Sequence, residues 1–537
     1  MVVSLALGSS FKGNLMNPNK SQTLLPELLK AVSTEDVVSI LKQHNFQDSD
    51  WFPYGGREKN WDTVSSQQTN GVGALTELIT NSIDAVLSRK AYEAGIRDLS
   101  GDDAPKSMQE AVRRFYNVNE GKLSSLESEE LTELAKESIL IGIKRKRKRC
   151  TTPTITVVDF GEGQKPECFE KTFLSLSETN KEGIGFVQGK FNMGSTGSIP
   201  FCTESDVTKG HYKLIASKRY GTPVWGWTMI KVSHVEEGRK LPIVKFLKPK
   251  GIISQFESES IEAFGDDKVG IISQGSVIRL YDYDIGDGAH QVDFGLYEAL
   301  TLNLLDCALP VRLYDFDAQP IDGKGSLREK GIAVRTFSGM NVMLHADIVD
   351  AANQDAVIQN EKPDKKTTEF VHLVKEYDND ELGTIRIIAT GMSELPNAFK
   401  GNKKRVFYTI NGQTHAAENA SFFNTKDVCL GDLQHHLIVN IECEAMDKTA
   451  LSAIFSGNRE QAKKNRLFRA LESKVKQYLK SDSKLKEYQN IIRLRRASEI
   501  IEDDQETKKL LSDLIAEDPA IKELLGLGPT ITAPTKK

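Results

Sequence analysis

The chain has 537 residues, 39% hydrophobic and 27% charged, with a formal net charge of −5. That length allows roughly three domains of about 150 residues each, and the composition is that of a globular protein, not a disordered or fibrous one. The small net charge excludes a global field drawing the chain to nucleic acid or membranes. No apolar run of about 18 residues marks a membrane span, and Met1 to Leu7 lacks a basic start and a full signal-peptide core. The six cysteines (Cys150, Cys168, Cys202, Cys307, Cys429 and Cys443) are widely spaced with no Cys-x-x-Cys. This disfavours a zinc site or a disulfide framework. The expectation is a cytoplasmic protein with no membrane partner.

In chain order, a polar start leads to a helix over Thr34–Gln43, with Ser33 or Thr34 as its cap. An aromatic and Gly-rich loop, Trp51 to Asn60, precedes a helix carrying Glu77-Leu78-Ile79-Thr80-Asn81-Ser82-Ile83-Asp84. Glu77, Asn81 and Asp84 stand at i, i+4 and i+7, one face of a helix. Leu75, Ile79, Ile83 and Val86 form the opposing apolar stripe. Residues 101–140 read as mostly helical and charged. Lys144 to Arg149 is a run of six basic residues. It reads as a solvated ramp into the next strand in preference to a phosphate-backbone patch, because no aromatic interleaves it.

The strand Thr154 to Val158 ends in Asp159-Phe160-Gly161-Glu162-Gly163. A strand-end carboxylate followed by two glycines suits close approach of backbone to a ligand; the alternative is a turn in which Asp159 caps a helix. Glycines 183, 185, 189, 194 and 197 suggest a flap whose N–H groups can cradle phosphates. It is not a P-loop, since Ser195 stands where that motif needs Lys. Strand-like alternation follows at Tyr212–Ile215, Trp225–Ile230 and Ser276–Leu280. Arg405 to Ile410 reads as a strand ahead of the turn signal Asn411-Gly412. Residues 460–525 are helical, and Gly526 to Lys537 is a Pro/Thr/Gly-rich tail expected to be disordered.

These pieces, in this order, resemble the GHKL superfamily of ATPases (gyrase B, heat-shock-90 chaperones, histidine kinases, MutL). The helix face is similar to that family's N-box, the Asp159 segment to its Asp-x-Gly-x-Gly box, and the glycine-rich stretch to its lid. Gly275 to Leu280 is similar to its late Gly-Thr-x-x-x-Leu strand, with Ser276 for Thr. The resemblance implies a Bergerat-type α/β sandwich, a mixed sheet covered by helices, within an α+β chain. ATP and Mg2+ are the implied cofactors. Glu77 is implied as general base and Asn81 as magnesium ligand, with Asp84 near the adenine side supporting the helix. Asp159 would read adenine N6 with Ser276, while Gly161 and Gly163 would line the base pocket. Gly189, Lys190, Asn192, Met193 and Gly194, with Lys181, would close over the phosphates. Asn192 departs from the lid pattern Gly-x-x-Gly-x-Gly, and Asn tolerates left-handed backbone.

A base at Glu77 favours hydrolysis over kinase activity, because His44 lacks the acidic partner of a phospho-acceptor helix. Ser456 to Gln461 looks like a phosphate-sensing loop of the heat-shock chaperones, which makes Arg459 the catalytic cation; the alternative is a surface Arg at a helix start. The implied organisation is an N-terminal extension (1–55), an ATP-binding domain (56–288), a transducer-like α/β domain (289–455), a helical C-terminal region (456–525) and the tail. The implied function is a Mg-dependent ATP-gated clamp, with a second copy of the chain and DNA or a protein as partners, in DNA processing or bacterial anti-phage defence. The alternatives are a chaperone-like remodeller and a non-hydrolysing ATP-sensing module. The DNA reading draws on Lys144–Arg149 and on Lys463, Lys464, Arg466, Arg469, Lys474 and Lys476.

Overall fold

The computed structural model describes residues 18–147, 150–176, 181, 183–188, 192–202, 210–233, 241–265, 268–286, 295–318, 327–344, 370–455 and 462–503. The architecture is mixed α+β, in two compact units. One comprises Met1–His345 with Asn411–Thr414; the other comprises Ala346–Ile410 and His415–Lys537.

Among the described residues, thirteen strands belong to the first unit's two sheets: β1 (Trp51–Pro53), β2 (Ile139–Lys144), β3 (Thr154–Asp159), β4 (Tyr212–Lys218), β5 (Val224–Ser233), β6 (Ile243–Leu247), β7 (Ser254–Glu257), β8 (Ile261–Glu262), β9 (Ile271–Ile272), β10 (Gly275–Leu280), β11 (Asp306–Asp315), β12 (Arg328–Glu329) and β13 (Ile332–Gly339). The large sheet runs β1-β6-β5-β4-β10-β3-β2-β11-β13-β12, with β7 also on β5; β8 and β9 pair separately. Within it β2 and β11 pair in parallel.

Successive strand residues point to opposite faces, so the sheet carries a core on each side. Ile139, Ile141, Ile143, Ile155, Val157 and Ile278 face the core built around the helix Gly71–Glu93. Leu140, Val158, Leu214, Ala216, Trp225, Trp227 and Val277 face the other, which is covered by the helix Pro18–Lys30. The Gly71–Glu93 helix is apolar toward the sheet, through Leu75, Ile79, Ile83 and Val86 as expected, but its polar face is buried as well. A helix buried nearly all round belongs at the centre of a fold.

The start of the chain is not an appendage ahead of residue 56. The Thr34–Gln43 helix forms where expected, and the Ser33 hydroxyl accepts from Asp36 N–H. Leu24, Leu25, Leu28 and Leu29 of the preceding helix are fully buried against the sheet. The carbonyls at that helix's C-terminal end, which have no partner within the helix, accept from β10 and just beyond it. Arg279 donates to Ala31 O at 2.7 Å and the Tyr281 hydroxyl to Leu28 O at 2.8 Å. The fully buried Arg279 cation sits at the negative end of the helix dipole.

The division between units also falls later than 288/289. β11 and β13 extend the large sheet next to β2, so the segment through residue 344 packs with the first unit. A parallel neighbour 172 residues away (Val311 opposite Ile139) leaves no local mark in sequence.

In the second unit β14 (Phe370–Asn379), β15 (Gly383–Met392), β16 (Lys404–Ile410), β17 (Gln413–Asn419) and β18 (Leu437–Glu442) form a sheet in the order β14-β15-β18-β16-β17. The helices Arg466–Ser481 and Ser483–Asp503 supply Phe468, Leu471, Val475, Leu479, Leu485 and Ile492 to its core. The tail from residue 526 and Arg459 lie outside the described residues. Among the described residues, no helix is long and apolar enough to cross a membrane.

Because Leu28 is fully buried, Leu28→Ala should cost about 2–5 kcal/mol in urea unfolding of the first unit. A cost of about 0.5 kcal/mol or less, the level of a surface change, would mean the helix is dispensable.

Candidate functional site

The site is assembled on the Gly71–Glu93 helix. Asn70 caps it, its side-chain oxygen accepting from Gly73 N–H at 2.7 Å. Glu77 is 4% exposed and Asp84 fully buried; Asn81 is only partly covered. Carboxylates are seldom buried unless paired, and both have partners. Asp84 Oδ1 accepts from Gln188 N–H at 2.9 Å, and Asp84 Oδ2 from Lys181 Nζ at 2.9 Å. Lys181 also reaches Asn81 Oδ1, at 3.4 Å. One lysine therefore bridges an amide and a carboxylate one turn apart.

Glu77 has a partner from far along the chain. Gln413 Nε2 donates to Glu77 Oε1 at 2.7 Å. Gln413 Oε1 accepts from Gln188 Nε2 at 2.8 Å and from the Thr80 hydroxyl at 3.3 Å. Glu77, Thr80, Gln188 and Gln413 thus form a buried network that continues to Asp84 through the Gln188 backbone.

The Asp159 segment docks on the same helix one turn further on. Glu162 N–H donates to Ala85 O at 2.9 Å. Asp159 closes β3 opposite Ser276 of β10. Its carboxylate accepts from Gly161 N–H at 3.0 Å and from the Ser276 backbone. Ser276 Oγ lies 3.1 Å from Ser217 Oγ of β4. Burial pushes the Asp159 carboxyl up to about 7, against the pull of those two backbone donors.

Gly161 and Gly163 have a structural reason to be glycine. A Cβ on Gly161 would stand 2.5 Å from the Ala85 Cβ, and one on Gly163 would stand 1.9 Å from Lys218 O, at a φ of +59°. The space each leaves is filled by the protein's own atoms.

In the lid segment Phe186 is fully buried in the core beside the helix, and Gln188 makes the contacts above. Gly189 and Lys190 lie outside the described residues; Asn192, Met193 and Gly194 open a 3-10 helix over Asn192–Phe201. The structure thus brings together Glu77, Asn81, Asp84 and Lys181, and brings Asp159, Gly161 and Ser276 to the same helix. Gln413, Gln188 and Thr80 were not among the residues expected from sequence. Asn411-Gly412 was legible as a turn, but nothing local shows that a turn meets a glutamate 336 residues earlier.

Six of the basic residues read as a possible nucleic-acid patch are engaged within the protein. Lys144 Nζ donates to Phe264 O, and Arg145 holds Asp315 through both terminal nitrogens at 2.5 and 2.8 Å. Lys146 pairs with Glu35. In the second unit Lys464 pairs with Glu418, Arg466 with Glu381 and Lys476 with Glu472. That unit also has a cleft of about 280 Å³ lined by Glu394, Lys400, Arg405 and His435 among others. Arg405 there is spent on the carbonyls of Asn402, Lys404 and Gln434. Among the described residues, no group of three or more His, Cys, Asp or Glu is arranged to hold a metal by itself. No protein-family model matches the chain, and no curated protein matches it.

The raised Asp159 pKa has a stability consequence. Between an unfolded value of about 3.9 and the folded value of about 7, the folded chain holds a proton that the unfolded chain releases. Asp159's contribution is therefore fully present below about pH 4 and is lost as pH rises through about 7. Asp159→Asn cannot titrate, so its stability relative to the wild type should rise from pH 4 to pH 8 by a few kcal/mol at most (about 1.4 per pKa unit). Urea midpoints across this range check it; parallel pH profiles for the two proteins would contradict it.

Proposed function

We propose that the first unit binds Mg-ATP and hydrolyses it in the manner of GHKL ATPases. The observation that carries the reading is one helix holding a buried carboxylate, an amide and a second buried carboxylate, with the Asp159 box hydrogen-bonded to its next turn. Phosphoryl transfer to water needs positioning, charge neutralisation and a poised water more than covalent chemistry. Each requirement has a candidate residue in this cluster.

The donor set fits a magnesium ion that arrives with the nucleotide. Mg2+ typically takes one or two protein oxygens and fills its remaining positions with phosphates and water, so a cage of protein carboxylates is not required. Asn81 Oδ1, which already faces the Lys181 ammonium, would hold it. The ion would supply charge neutralisation at the phosphates.

Glu77 takes the proton of the attacking water, and Gln413 fixes the direction of its carboxylate. Lys181, 23% exposed and anchored on Asp84, presents a cation toward solvent where a phosphate can share it. Asp84 works through Lys181 and Gln188 and does not touch substrate. Asp159 accepts from an exocyclic amine, with Ser276 and Ser217 beside it. Lys144, Arg145 and Lys146, which a phosphate backbone would need, are engaged internally with Phe264 O, Asp315 and Glu35.

Glu77→Ala should lower ATP turnover by about 10²–10⁴ while the Kd for ATP stays within a few-fold, measured by phosphate release and calorimetry. Unchanged turnover would remove Glu77 as the base. ATP binding by a wild type that does not turn over would select a non-hydrolysing sensor instead.

Adenosine, which lacks phosphates that titrate, isolates Asp159. Its affinity should rise from pH 6 to pH 8 as the buried carboxyl ionises and becomes the stronger acceptor. In Asp159→Asn, binding should be weaker and flat with pH; a wild-type affinity independent of pH would exclude Asp159 as the amine acceptor.

A further inference from the structure

Residues 411–414 are a short excursion of the chain with a disproportionate number of buried contacts. They belong to the first unit, although residues 346–410 before them and 415–537 after them belong to the second. Asn411 and Gly412 both have positive φ, +47° and +78°, the conformation of a tight hairpin turn. Gly412 is required there, since a Cβ would stand 1.9 Å from Asp306 O. Its carbonyl accepts from Leu305 N–H at 2.8 Å, and the Thr414 hydroxyl donates to Leu302 O at 2.9 Å. Gln413 forms a bridge with Leu304. The turn is therefore seated by a backbone bond at Gly412 and a side-chain bond from Thr414, on either side of Gln413, whose own side chain is 3% exposed.

The polarity of that side chain follows from its neighbours. The Glu77 carboxylate oxygen accepts, and the Gln413 amide turns its NH2 to Glu77 and its oxygen to the donors Thr80 and Gln188. A side chain with a donor at one end and an acceptor at the other is what this position demands. A lysine would supply no acceptor for Gln188, and a glutamate would set a second carboxylate against Glu77.

We propose that Gln413 is the positioning residue of the hydrolytic base: it orients the Glu77 carboxylate by hydrogen bonding and couples it, through Gln188, to the lid segment and Asp84. The inference rests on the hydrolase reading above. It assigns the long-range contribution to the site to an uncharged amide acting on the base.

The test is steady-state ATP turnover and ATP affinity of the full chain for wild type, Glu77→Ala, Gln413→Met, Gln413→Glu and the Glu77→Ala/Gln413→Met double variant. Gln413→Met should lower kcat by about 10–100-fold, the range for losing a hydrogen bond to a charged group, with the ATP Kd within about twofold. The double variant should be no slower than Glu77→Ala alone, because a positioning residue has no effect once its target is gone. Gln413→Glu should also be slow at neutral pH and should regain turnover as pH falls, when one proton shared by the two carboxylates relieves their repulsion. This variant carries the test if Gln413→Met fails to fold by circular dichroism. An unchanged kcat in a folded Gln413 variant, or losses that add in the double variant, would overturn the proposal while leaving the hydrolase reading intact. A wild type with no ATP turnover would overturn both.

Discussion

Burying a polar helix face at the centre of a sheet protein is the constraint on which the rest of the first unit depends. Glu77 and Asp84 are nearly or fully removed from solvent on a helix whose other face is the hydrophobic core. An unpaired buried carboxylate is too costly to persist, so the fold must deliver partners to it. It does so from two distant places: Lys181 and Gln188 from the segment before the 3-10 helix, and Gln413 from a turn near residue 412; Glu162 N–H separately ties the Asp159 segment to the helix backbone at Ala85. Each delivery fixes a segment that would otherwise be only a surface loop.

The same constraint explains why glycines and short side chains cluster here. The Asp159 segment approaches the helix so closely that Gly161 has no room for a methyl group, and Gly163 lies against the carbonyl that ends β4. Asp159 is thereby enclosed, and its two backbone donors are outweighed by desolvation, so its proton is retained to about pH 7. A carboxyl that titrates near neutrality can exchange proton and ligand under ordinary conditions. Asp84 has a different setting, with Lys181 and the Gln188 N–H holding the helix face together.

How legible this was in the sequence varies with the range of the interaction. The helix with Glu77, Asn81 and Asp84, the Ser33-capped helix, the strands around Tyr212, Trp225 and Ser276, and the Asn411-Gly412 turn all form where period and turn chemistry put them. The role of residues 18–43 was not legible, because Leu24, Leu25 and Leu28 look like any amphipathic helix until Arg279 and Tyr281 are seen to close its end. The pairing of β11 with its parallel partner β2 is illegible for a similar reason, since the two strands meet only in three dimensions. The basic run at Lys144 looked like an exposed patch, yet Asp315 and Glu35 take up two of its charges.

Sequence by itself therefore determined the local chemistry: which helix carries carboxylates and an amide on one face, which strand ends in Asp159, and where the chain must turn. Periodicity and turn propensity act over a few residues, and a few residues suffice to read them. Tertiary structure alone decided which of those groups meet. That Gln413 orients Glu77, that Lys181 bridges Asn81 and Asp84, and that Gly161 yields its space to Ala85 are outcomes of packing across 76 to 336 residues of chain. A hydrogen bond depends on ångström-scale geometry, and that geometry exists only once the sheet has set its helices in place.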